Sequence, residues 1–292
     1  MSVNRCSTSL QLRRTLIIPE GIKNTSMRPF RFLSIAAVIV LLAGCANTAP
    51  SAPSAPSQKL TIFAAASLTD ALDEIGDKFK QQQPGVTLDF NYAGSQQLRT
   101  QLEQGAVADV FASANMKEMD NAIEAGLVVS GTPQIFVRNR LAVIVPQDNP
   151  GSVKDLRDLS KPGLKIVLAA PSVPVGGYAL TALAKMNADF GPTFSQAVLS
   201  NVVSQEDNVK QVVAKIQLGE ADAGIVYSSD VTPGAAAKVI KLEIPDKYNV
   251  LATYPIAVLQ AAPHADLGGR FVDYVLSPEG QAILAKWGFI SK

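Results

Sequence analysis

From Lys59 onward the chain alternates short apolar runs of strand period with longer runs that carry apolar residues on one helical face. No other feature narrows the possible folds as far. Strand-like segments are Leu60–Ala66, Val86–Tyr92, Asp109–Ala114, Leu141–Pro146, Lys165–Ala169, Ala223–Tyr227, Val239–Ile244 and Pro255–Leu259. Helical periods lie between them, at roughly 68–82, 96–104, 116–125, 177–188, 207–218 and 267–286. Such alternation predicts α/β layers with mostly parallel sheets flanked by helices. Gly105, Gly126 and Gly219 each follow a helical run, where a left-handed C-cap is expected. With no long linker after residue 59, the pattern fits one large sheet or two joined lobes. If the tail from Pro255 packs back onto the first half, two crossovers, near 139–142 and 250–255, would leave a cleft between two lobes.

Composition removes several function classes. The net charge is +1 over 292 residues and no basic run stands out, so nucleic acid is not an expected partner. Aromatic residues make up 6%, too few for an extended stacking surface. Cys6 and Cys45 both precede the globular part, which excludes a disulfide framework or a cysteine metal site within it. The single histidine, His264, follows Pro263 in a polar stretch and reads as a solvated loop residue.

Upstream, Met27-Arg28-Pro29-Phe30-Arg31 is a short basic start, and Phe32 to Gly44 is an almost unbroken apolar run. The run is short for a membrane span, which needs ~20 residues, but it suits the core of a signal peptide. It ends in Leu41-Leu42-Ala43-Gly44-Cys45, which resembles a bacterial lipobox, and that resemblance makes Cys45 the lipidated first residue of the mature protein. Residues 1–44 are therefore expected to be removed, with Met27 as the start or with a long n-region before it. The Ala/Pro/Ser stretch within 45–58 reads as a flexible tether to the outer face of a cell membrane.

Five segments at predicted strand ends share one chemistry. Ser67, in Ala66-Ser67-Leu68, opens a helix and forms an S-x-x-D pattern with Asp70, so it reads as an N-cap. Gly94-Ser95 opens a second helix, and Val173-Pro174-Val175-Gly176-Gly177 precedes a third. Asp207-Asn208-Val209 opens a fourth, and Tyr227 ends a buried strand. Helix starts present free N–H groups and partial positive charge, and ligands of α/β sheets bind beyond carboxyl strand ends. Serine and tyrosine hydroxyls and backbone amides are neutral donors. With no Lys, Arg or His inside the motifs, they suit a fully deprotonated oxyanion. Asp70, Glu206 and Asp207 read as helix caps.

Phe63-Ala64-Ala65-Ala66-Ser67-Leu68, Ala93-Gly94-Ser95, Ala108-Asp109-Val110-Phe111-Ala112-Ser113, Pro171-Ser172-Val173-Pro174-Val175-Gly176 and Gly219–Tyr227 occur in that order. Together they resemble the bacterial molybdate-binding proteins of molybdate ABC transporters, over essentially all of 59–292. The resemblance implies a two-lobed type II periplasmic-binding-protein fold, with lobe 1 formed by 59–140 plus 254–292 and lobe 2 by 141–253. It implies that molybdate, and tungstate with it, sits between the lobes. Ser67 and Ser95 would donate through hydroxyl and amide, Val175 and Val209 through amides, and Tyr227 through its hydroxyl. These residues would meet the metal only through its oxyanion oxygens. It further implies a monomer without cofactor that delivers the anion to a membrane permease and its ATPase.

Three other readings compete. The same fold could bind sulfate, ferric iron or an organic anion; ferric-iron receptors typically use paired tyrosines, whereas Tyr227 stands alone in the sequence. An enzyme would need a base near Ser67 or Ser95, yet the only histidine is distant and no G-x-S-x-G elbow occurs. A ligand-sensing domain of a regulator conflicts with the export signal.

Overall fold

Two mixed sheets form from strands whose parallel cores end level with one another, and that level edge is what assembles the site. The computed structural model describes residues 58–291. The apolar run, Cys45 and the tether up to Ser57 lie outside the described residues. In chain order the elements are β1 (Gln58–Ala65), a 3-10 turn (Ala66–Leu68), α1 (Thr69–Gln82), β2 (Val86–Ala93), α2 (Ser95–Glu103), β3 (Val110–Ala112) and α3 (Met116–Glu124). They continue with β4 (Gln134–Asn139), β5 (Leu141–Pro146), a 3-10 turn (Leu156–Ser160), β6 (Ile166–Ala169), α4 (Pro174–Phe190), α5 (Phe194–Ser200) and β7 (Val202–Glu206). The remainder is α6 (Val209–Gln217), β8 (Ala223–Tyr227), a turn (Ser228–Asp230), α7 (Pro233–Ala236), β9 (Val239–Glu243), β10 (Ala252–Val258), α8 (Ala265–Leu276), α9 (Pro278–Lys286) and β11 (Ile290–Ser291).

The first sheet has the order β11-β4-β10-β3-β1-β2 and the second β7-β6-β8-β5-β9. Each keeps a parallel core of three strands: β3, β1 and β2 in one, and β7, β6 and β8 in the other. The outer pairings are antiparallel, so the parallel share is smaller than strand–helix alternation suggests. The reason is connectivity. The chain leaves the first sheet at β4, enters the second at β5, and returns through β10, which runs against β3 and β4.

Leu60, Ile62 and Ala64 of β1 and every residue of β5 are buried, as expected of strands covered on both faces. Helix α1 inserts Ala71, Leu72, Ile75 and Phe79 beneath the first sheet, the spacing of a single apolar face. Gly105, Gly126 and Gly219 adopt φ of +92°, +72° and +70°, so the expected left-handed helix ends are present.

Several local expectations are corrected. The helical pattern at 267–286 is two helices, because Ser277 is extended and Pro278 opens α9. Strand β7 is a sheet edge and β4 is flanked on its outer side only by the two-residue β11; both carry polar residues and lack a clean apolar alternation, so periodicity missed them. Ser67 does not cap α1. The residue before α1 is Leu68, no side chain caps that helix, and Ser67 lies inside the 3-10 turn.

Candidate functional site

Register puts the predicted donors side by side. Ala65 of β1 pairs with Ala93 of β2, and Ala64 pairs with Ala112 of β3. The residues that leave these strands, Ser67, Ser95 and Ala114, therefore share one edge. In the second sheet Ala169 of β6 pairs with Glu206 of β7, and Val167 pairs with Gly224 of β8. Val175, Val209 and Tyr227 leave from that matching edge. All five predicted residues line one small cavity, together with Ala65, Ala66, Ala93, Gly94, Ala114, Val173, Pro174 and Asn208. The room left for the centre of a water-sized sphere is about 10 Å³, the scale of a single small group rather than an extended ligand.

Each donor is held by local structure. Ser95 and Val209 are the first residues of α2 and α6, and Val175 is the second of α4, behind Pro174. Their amides precede any intrahelical acceptor. Pro174 suits its place because its missing N–H costs nothing there. Helix α6 is capped by Asn208, whose Oδ1 accepts from Gln211 N at 3.2 Å. Ser95 is 1% exposed, and its Oγ accepts from Ala114 N at 3.0 Å. That bond leaves the serine proton free to point elsewhere. Ser67 Oγ lies 3.0 Å from Tyr254 Oη.

Tyr227 is 1% exposed, and its hydroxyl is buried without a hydrogen-bond partner among the described residues. Burial pushes that hydroxyl well above the usual phenol range, so it stays protonated and is a donor. Tyr227 does not stand alone in space. The rings of Tyr178 and Tyr254 pack against it with centroids 6.5 Å and 5.7 Å away. Only Tyr227 of the three lines the cavity, so the cluster is not a pair of tyrosines facing one ligand.

The charged groups are arranged differently from the expectation that Asp70, Glu206 and Asp207 cap helices. Asp70 Oδ2 pairs with Lys210 Nζ at 2.6 Å, joining α1 to α6 across the two sheets. Lys210 also lies 3.7 Å from Asp230 Oδ1. Glu206 pairs with Lys215 at 2.7 Å and accepts from Ser204 Oγ. Asp207 contributes its carbonyl, which accepts from Gln96 Nε2 at 3.2 Å, a second bond between the sheets. A cation therefore does follow Val209 directly, but it is committed to carboxylates.

Asp230 is fully buried. Its Oδ2 accepts from Tyr227 N at 3.1 Å, while Oδ1 has no hydrogen-bond partner among the described residues. Burial raises this carboxyl to about 7, and Lys210 holds it from going higher. Gly94 is a point of close contact between the sheets, since a Cβ there would lie 2.5 Å from the Asp207 carbonyl. His264 sits elsewhere: its amide donates to Asp109, which precedes β3 at the opposite end of the strands from the cavity.

Sequence reasoning missed Gly94 as a contact point, Asn208 as the cap, and Tyr254, Lys210 and Asp230 as neighbours of the site. Asn208 could have been found, since asparagine before an apolar helical run is a cap signal. The others depend on contacts distant in sequence and left no local signal. Among the described residues no three His, Cys, Asp or Glu side chains gather to hold a bare metal ion. No described helix is long and apolar enough to cross a membrane.

Known proteins resemble the chain over this same region. The family profile for bacterial extracellular solute-binding proteins matches residues 60–290. The molybdate-binding protein ModA of Mycobacterium tuberculosis is 39% identical over 233 residues, covering 80% of this chain and 85% of that one. A Bacillus subtilis protein described as an ABC transporter substrate-binding lipoprotein, YvgL, is 29% identical over 262 residues, covering 89% and 97%. Among solved structures, the substrate-binding domain of a molybdenum ABC transporter from Clostridium difficile aligns with a TM-score of 0.60 and 34% identity. That alignment covers 81% of this chain and all of the other.

Proposed function

The chain belongs to the bacterial extracellular solute-binding proteins, in the branch of the molybdate-binding proteins, and from that membership we propose that it captures molybdate between two lobes for an ABC permease. One observation carries the site assignment: the five donors Ser67, Ser95, Val175, Val209 and Tyr227 line one cavity, and the buried Tyr227 hydroxyl there has no hydrogen-bond partner among the described residues. A tetrahedral dianion has only acceptor oxygens, and this cavity offers neutral donors from both sheets. Bonds to a charged acceptor contribute ~1.5–3 kcal/mol each, and the helix starts add favourable partial charge. Tungstate has nearly the same shape and charge and is expected to bind too.

Binding proceeds by capture and closure. The anion meets donors of one lobe, the other lobe swings onto it, and water is excluded. Residues 59–140 with 254–292 form one lobe and 141–253 the other. Sheet membership supports this division, with crossings at Asn139–Leu141 and between Glu243 and Ala252. The reading is a carrier rather than an enzyme, since His264 lies at the far end of the first sheet. We read it as a monomer, with a signal peptide over 1–44, lipid on Cys45 and a tether to 58 that hold it on the outer face of a membrane. The likeness to the lipoprotein from Bacillus subtilis supports that part.

A thermal-shift titration tests the ligand. Molybdate or tungstate at ~100 times the dissociation constant should stabilise the protein by ~2.7 kcal/mol. A shift with sulfate or ferric iron and none with molybdate or tungstate would overturn the assignment.

A further inference from the structure

We infer that Tyr254 is a positioning residue for the anion: its phenol hydroxyl donates to Ser67 Oγ and so commits the Ser67 proton to the cavity. The inference rests on the proposed oxyanion site and extends it to a residue that does not line the cavity. Tyr254 is fully buried in β10, and its hydroxyl lies 3.0 Å from Ser67 Oγ, close enough for either group to donate. Proton bookkeeping selects the direction. A serine hydroxyl has one proton and two lone pairs. If Ser67 donated to Tyr254, the phenol proton would have to turn to Tyr227 or Asn139, the other polar groups beside it, and the cavity would face a serine lone pair. With Tyr254 as donor, both protons are used once an oxygen anion fills the cavity.

Ser95 shows the same design with its direction fixed. Its Oγ accepts from the Ala114 amide, which can only donate, at 3.0 Å. Each serine thus has a donor behind it, and each is left as a donor in front. Burial keeps the Tyr254 phenol protonated, as the role requires. The ring is fixed by Phe136, Tyr227 and Phe289, with centroids 6.4, 5.7 and 5.6 Å away. The residue is therefore set by packing before any anion arrives.

The consequence is discrimination by protonation. Hydrogen phosphate carries a proton that needs an acceptor, and a serine backed by Tyr254 can offer its second lone pair only by turning its one proton away from the anion. The test is calorimetric titration of the full-length protein and of Y254F, S67A and S67A/Y254F with molybdate and with phosphate at neutral pH. Y254F should bind molybdate ~5- to 10-fold more weakly, and the ratio of molybdate to phosphate affinity should narrow. In the S67A background, Y254F should change molybdate affinity by less than ~2-fold, because the group it positions is gone.

Equal losses for both anions, an undiminished loss in the S67A background, or no loss at all would overturn the inference. The double-mutant comparison decides alone if phosphate binding is too weak to measure. Tyr254→Met removes the hydroxyl with a different packing shape and replaces Y254F should that variant fail to fold. Failure of the unmutated protein to bind molybdate would instead overturn the site assignment itself.

Discussion

Tyr227 has a buried hydroxyl that makes no hydrogen bond of good geometry among the described residues. Leaving such a group unmatched costs stability, whereas an anion oxygen would repay it with a charge-assisted bond. Tyr227→Phe should therefore leave the melting temperature without ligand unchanged or slightly higher. It should weaken molybdate binding by ~10- to 100-fold; equilibrium unfolding and calorimetry read the two effects separately. Asp230 gives a pH signature. Its folded pKa of about 7 lies above the usual carboxyl value of 3.8. Between these two values the unfolded chain has released a proton that the folded protein keeps, so stability falls as pH rises through this window and levels off above it. Asp230→Asn should flatten that slope in denaturant titrations from pH 4 to 8. The hydroxyls of Ser67, Ser95 and Tyr227 were legible in the sequence because each stands at or just past a strand end. Tyr254 was not, since its bond to Ser67 spans 187 residues.

At the scale of elements, four segments begin at the cavity, and their starts are set by short signals: Gly94 before α2, Pro174 at the head of α4, Asn208 before α6, and the 3-10 turn before α1. Gly94 has a further duty, because α2 meets the Asp207 carbonyl where any Cβ would intrude. Gly94→Ala should hold the two sheets apart and weaken molybdate binding by ~10-fold or more, since overpacking a tight contact costs ~1–3 kcal/mol. A melting temperature without ligand close to that of the unmutated protein would separate this effect from general damage. Element type was legible wherever the apolar period was long, as in α1 and β5. It failed at β7, a sheet edge, and at β4, flanked on its outer side only by β11, since both carry polar residues. It also failed at Ser277-Pro278, where one proline divides a continuous apolar face.

At the scale of the molecule, Lys210–Asp70 and Gln96–Asp207 are bonds from one sheet's helices to the other's. The Lys210 and Asp70 side chains are both about one third exposed, so the pair is worth ~0.2–1 kcal/mol after solvent screening. Lys210→Met should weaken molybdate binding by ~2- to 5-fold. It should also reduce the salt dependence of affinity between low and high ionic strength, read by titration in two buffers. These bonds join protein to protein, so their free energy does not change with the concentration of anion. In a carrier that closes as proposed, the logic of pre-existing equilibria lets a fraction of molecules shut with nothing aboard. That fraction sets a noise floor, below which a partner sensing shape alone cannot tell a loaded carrier from an idle one.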